Sequence, residues 1–162
     1  MAEPTTIAPV SPRARRLRAP LLLTVWGLLA FEAVGGGVIF VARVTAGMTP
    51  GETVHVLAGL ALTASYALYQ WRHWGRVAPF RARLDYAIGL LAAFFMAAAN
   101  LTGLWLGALW WRERVALGSA APVDYPSLLS AVHNIGSMLV LTFVGAHLGA
   151  VLMRDRRQSR RS

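Results

Sequence analysis

The sequence predicts an all-α integral membrane protein: a four-transmembrane-helix up-down bundle made of two repeated helical hairpins. Three observations predict it. The 162-residue chain is 56% hydrophobic with a positive mean hydropathy, too apolar for a soluble domain of this size. Four nearly uncharged stretches, residues 20–42, 53–71, 86–111 and 127–153, approach or exceed the roughly 20 residues with which a helix crosses a bilayer. All 16 basic residues are arginine, and they cluster on alternate sides of these stretches. Hydrocarbon offers backbone groups no water, so stretches of this kind must be helical.

The first span follows a basic segment, residues 1–19, with Arg13, Arg15, Arg16 and Arg18. A basic segment before an apolar run also marks a signal peptide. This run is longer than a signal core and contains Glu32, so it reads as a span. The second span has a start signal in Thr49-Pro50-Gly51-Glu52. Thr49 serves as N-cap, Pro50 as the first helical residue and Glu52 as the acid of a capping box. The connection to the third span carries Arg72, Arg76, Arg81 and Arg83. Residues 112–126 form the longest connection, and the fourth span starts at Pro126, after Asp124 and Tyr125. The bundle thus covers residues 20–153, and residues 154–162 form a basic C-terminal tail.

Thirteen of the 16 arginines fall on one side; Arg43, Arg112 and Arg114 fall on the other. The positive-inside rule puts both termini in the cytoplasm. The net charge of +9 therefore reads as topology, with membrane lipid rather than nucleic acid as the surrounding partner. Trp71 and Trp74 then mark the cytoplasmic interface, and Trp110, Trp111 and Tyr125 the outer one. There is no cysteine, which excludes a disulfide framework, a thiolate metal site, a covalently attached c-type haem and a catalytic thiol in this chain. No connection is long enough for a catalytic domain, so any chemistry belongs inside the bundle or to a partner.

The two halves resemble each other. Glu32-x-x-Gly35 and Asn100-x-x-Gly103 occupy similar depths in outward-running spans. Spans two and four each carry one histidine near the outer end and one near the inner end. Two hairpins related by an axis along the membrane normal would give this pattern; chance similarity among apolar helices would too.

The four histidines are His55 and His73 on span two, and His133 and His147 on span four. Measured from Pro50 and Pro126, His55 matches His133 in depth, and His73 matches His147, within about 3 Å of helical rise. A spacing of 18 residues is five turns, so His55 and His73 share a face; a spacing of 14 nearly does the same for His133 and His147. Facing imidazoles suit axial ligation of a haem iron. Zinc usually takes three or four protein ligands, and each level here offers two. A flat macrocycle needs room, which Gly35, Gly36 and Gly37 on span one, Gly59 on span two, Gly103 and Gly107 on span three, and Gly136, Gly145 and Gly149 on span four would supply; ordinary small-residue helix packing uses the same residues. Each ligating imidazole is expected to bind iron through Nε2 and to direct Nδ1–H to a carbonyl one turn back. Arg43, Arg112 and Arg114 lie just above the outer pair, where at least one could bind a haem propionate; solvated loop charge is the alternative. Glu32 is the acid nearest mid-membrane; it could deliver protons to a quinone, but the expectation is a bond across the bundle, with Asn100 as a candidate partner.

"HNIGSMLVLTFVGAH", residues 133–147, "NLTG" at 100–103 and the pair His73-Trp74 resemble the four-helix di-haem cytochromes b of bacterial membranes. The pattern is similar to the N-terminal half of cytochrome b of quinol-oxidising complexes, in which the second and fourth helices each give two ligands. The resemblance implies two b-type haems, one on His55 and His133, the other on His73 and His147. It implies electron transfer across the bacterial inner membrane, with the quinone pool and other redox subunits as partners and no active site on this chain alone. The sequence departs from the family in two ways. The spacing on span two is 18 where the family has 14, with Tyr69 at the usual place. No amphipathic segment separates spans three and four. A different class, a haem-free four-helix transporter or assembly scaffold with histidines as proton or metal relays, fits the same composition.

Overall fold

The computed structural model describes residues 19–77 and 84–159. It holds four long helices: α1 (Pro20–Ala46), α2 (Glu52–Val77), α3 (Leu84–Trp110) and α4 (Ser127–Ser159). No strand occurs among the described residues. The basic N-terminal residues 1–18, the connection with Arg81 and Arg83, and the tail residues Arg160 and Arg161 lie outside the described residues.

Local chemistry explains the helix ends. Pro20 opens α1, where its missing N–H costs nothing. Gly47 closes α1 in the left-handed region at φ 67°. Its N–H bonds Arg43 O four residues back, which is the αL-cap pattern, and the next N–H, of Met48, bonds Ala42 O. The second helix starts at Glu52, not at Pro50 as the sequence suggested. Gly51 has φ 74°, which a helical residue cannot adopt, so the chain turns there first. The α3 helix outlasts its expected end. It continues as a π-helical turn, Trp111–Ala116, with Leu117 N–H bonded to Arg112 O five residues back. Gly118, at φ 62°, follows as the chain leaves the helix. The fourth helix starts where expected, at Ser127, but runs past residue 153 into the basic segment.

Three helices are long and apolar enough to cross a bilayer: α1, α3 with its π-helical extension, and α4. The helix α2 matches them in length but carries more polar side chains, among them His55, Tyr66, Tyr69, Gln70, Arg72 and His73. The surface is greasy and the core is small. Val34 is 70% exposed and Trp105 66%, whereas Met96 and Val140 are 3% and 2% exposed. Lipid, unlike water, covers such a surface without penalty, and the chain is a membrane protein. Hydroxyls are turned onto the helices that carry them: Thr63 donates to Gly59 O, Thr102 to Ala98 O and Ser137 to His133 O, each at 2.8 Å.

The most extensive packing joins α3 to α4, followed by α1 to α2; the α2–α3 contact is thinner. The bundle is therefore two hairpins laid together. They meet in one tight layer, where Met96, Ala99 and Val140 are buried against Leu29, Tyr66, Phe95 and Val144, side chains drawn from all four helices. Trp110 departs from the expected interfacial belt. It is buried, while its neighbour Trp111 is exposed, because adjacent helical residues point about 100° apart. Trp71 and Trp74 are exposed.

Candidate functional site

One arrangement recurs three times. His133 on α4 lies over Gly103 on α3, where a β-carbon would stand 3.1 Å from Cε1 of the ring. Its Nδ1 is 3.1 Å from Ala99 O, four residues before that glycine. His147 lies over Gly89 in the same way, with a β-carbon position 2.9 Å from the ring, and its Nδ1 is 2.8 Å from Asp85 O, again four residues earlier. His55 on α2 lies over Gly36 on α1, at 3.2 Å. The residue four before Gly36 is Glu32, whose Oε2 is 2.8 Å from His55 Nδ1. Residues four apart share a helix face, so each glycine opens the space through which a ring reaches the turn before it.

The bonds fix the protons. A carbonyl only accepts, so Nδ1 of His133 and of His147 carries the hydrogen, and in the neutral ring Nε2 keeps its lone pair. Thr102 Oγ1, 3.2 Å from His133 Nδ1, is a second neighbour of the same nitrogen. The acceptors are on the neighbouring helix, not one turn back on the helix of the histidine itself. The carbonyls of α4 are occupied by its own ladder, whereas the glycines of α3 let the rings in.

His55 and His133 come together from the two hairpins. Their ring centres are 6.5 Å apart and the planes stand at 78°. Both line a cavity of about 750 Å³ that takes side chains from all four helices. Gly36, Gly59, Gly103 and Arg43 also line it; Gly35, Gly136 and Arg112 do not. Gly35 and Gly136 are instead at helix contacts, beside His55 and the Ala99 backbone. Arg112 is bound to its neighbour Glu113 at 2.6 Å, with its side chain 64% exposed. Glu32 contacts His55 and not Asn100. Its Oε1 is buried without a partner.

A polar cluster borders the cavity at the end nearest the α3–α4 connection. Tyr125 donates to Glu52 Oε1 at 2.7 Å, and Arg114 is 3.5 Å from Glu52 Oε2. Arg114 also donates to Ser119 O at 3.0 Å, and the Arg43 guanidinium lies 5.1 Å over the Tyr125 ring. Burial, and then the bond to Glu52, push the Tyr125 hydroxyl well above its ordinary range. The carboxylate of Glu52 therefore ties the start of α2 to the α3–α4 connection rather than closing a capping box on Thr49.

His73 and His147 have different neighbours. His147 is anchored on α3, while His73 stacks on Tyr69 of its own helix, with ring centres 5.3 Å apart. The Tyr69 hydroxyl is 3.4 Å from His73 Nδ1. Neither inner histidine lines the cavity. Asp85 and Arg154 form an ion pair that joins the two helices at this level. Among the described residues, no group of three or more His, Cys, Asp or Glu side chains is arranged to hold a metal ion.

Sequence reading named Gly36 together with Gly35 and Gly37; it missed Gly89 and the Glu52–Tyr125 bond. Gly89 was visible in principle: it precedes Gly103 by 14 residues, as His133 precedes His147. The choice among Gly35, Gly36 and Gly37 needs the register of α1 on α2, which sequence does not supply. Compared with protein-family models, curated proteins and solved structures, the chain matches none.

Proposed function

We propose that the protein is a di-haem cytochrome b, an electron-transfer subunit of a larger membrane oxidoreductase. The observation that carries this reading is the His55–His133 pair. Two imidazoles that ligate one ion at about 2 Å each have ring centres about 6 Å apart, close to the 6.5 Å found here. The cavity they line lies in the size range of cofactor pockets.

Haem would supply reversible one-electron exchange. The chain supplies the rest. His55 and His133 would hold the outer group, and His73 and His147 the inner one. The bonds to Ala99 O and Asp85 O orient the rings of His133 and His147 and leave Nε2 for the metal. Gly36, Gly59 and Gly103 keep the outer space open, and the packed layer around Met96 and Val140 excludes water between the levels. Arg43 stands where a propionate could be bound.

In this reading all four helices span the bacterial inner membrane, with both termini cytoplasmic, as the arginine distribution supports. The quinone pool and a further redox subunit are the electron partners. The short connections support the absence of a catalytic centre on this chain.

A reduced-minus-oxidised spectrum of protein purified from haem-replete cells tests the proposal. A b-type spectrum is the expected result, and colourless protein defeats it. The second outcome favours the other reading, a haem-free bundle whose histidines relay protons or metal, for which the Glu32–His55 contact speaks.

A further inference from the structure

We propose that Glu32 is a positioning residue for His55, the acceptor toward its Nδ1–H in the role that backbone carbonyls play toward Nδ1–H of His133 and His147. The inference rests on the haem reading above. In the α3–α4 hairpin the acceptor is the main chain of the residue four before the glycine. In the α1–α2 hairpin the residue at that place is Glu32, and its side chain is what reaches the ring.

Several observations set this carboxylate apart. It is an acid inside an apolar bundle, where a neutral residue would be the cheaper choice. Its side chain is 12% exposed and its Oε2 is 2.8 Å from His55 Nδ1. The approach is out of line with the ring N–H, yet His55 Nδ1 has no other partner among the described residues. Two glycines frame the contact. A β-carbon at Gly36 would crowd the ring, and one at Gly59 would lie 3.5 Å from Glu32 Oε2. The space between α1 and α2 is thus shaped to admit both side chains together.

A carboxylate acceptor makes a ligating imidazole more electron-donating than a carbonyl does, because it stabilises positive charge on the ring. His55 would then favour the oxidised metal more than His133 or His147 does. The outer group is the one affected, and its two ligands differ in character.

The test is a redox titration of the purified wild type, Glu32→Gln and Glu32→Asp, with haem content measured on each. Glu32→Gln should raise the midpoint potential of the haem that His133→Ala removes, and leave the other potential unmoved. Its affinity for that haem should fall by roughly 10-fold. Glu32→Asp keeps the charge and should return both readings toward the wild type. Haem-loaded Glu32→Gln with unmoved potentials overturns the inference alone. So does equal behaviour of the Gln and Asp variants, including loss of the same haem from both, because packing would then be the only role. Wild-type protein without haem overturns the haem reading and this inference with it.

Discussion

The imidazole of His147 occupies the space that a side chain at Gly89 would need, with ring atoms 2.9 Å from the β-carbon position. Fourteen residues along both helices, His133 and Gly103 repeat the relationship at 3.1 Å. An antiparallel pair keeps such a register, because each step up one helix is matched by a step down the other. Hairpin α1–α2 has the relationship once, at His55 and Gly36.

Gly89→Ala should therefore displace His147. A helical Gly→Ala change gains up to about 1 kcal/mol from propensity, whereas overpacking costs about 1–3 kcal/mol. Contact under 3 Å decides in favour of the cost at Gly89. Gly145→Ala meets nothing within 4 Å and should be neutral or stabilising. Thermal unfolding of the two variants in one detergent, with haem content, measures the difference. Equal stability and haem content would break the register argument.

Tyr125→Phe should destabilise the protein by about 1–3 kcal/mol, because Glu52 Oε1 loses its donor while buried. The same tyrosine predicts a pH effect. Its hydroxyl ionises in the unfolded chain near its ordinary value of 10.0, and only at higher pH in the folded one. Its contribution is thus complete below pH 10 and declines as the pH rises further. The Phe variant should lose that part of the alkaline slope, which a pH series of melting temperatures reads directly.

Arg43→Gln should shift the potential of the outer haem, and Arg112→Gln should not. Arg43 lines the cavity, while Arg112 is engaged with Glu113. Redox titration of both variants gives the answer, and a shift confined to Arg112→Gln would reverse the assignment.

Reporter fusions at Ser162 and between Gly118 and Pro122 should read cytoplasmic and external respectively. The opposite pattern would invert the bundle and exchange the two levels.

Helix number and most boundaries were legible because hydropathy and length are one-dimensional. The fourth helix begins at Ser127, where Pro126 announced it. Two boundaries failed for local reasons. Gly51 takes a left-handed turn that its sequence context permits but does not demand, and the backbone after Trp110 widens into a π-turn instead of stopping. The facing of His55 and His133 was legible from depth and helical phase alone. Which atoms hold Nδ1 was not, since Ala99 O and Asp85 O belong to the main chain of another helix. Main-chain acceptors have no signature in side-chain identity; only the glycines that expose them do. The inner pair rested on the same phase argument; there the 18-residue spacing puts His73 one turn beyond Tyr69, on whose ring it stacks.

The haem-to-protein ratio of wild type and His133→Ala, measured side by side as the pyridine complex, tests the central claim most directly. The account predicts a ratio near two that falls to near one, with the remaining haem still low-spin and six-coordinate. An unchanged ratio and spectrum in His133→Ala would contradict it, because the His55–His133 pair would then hold no haem.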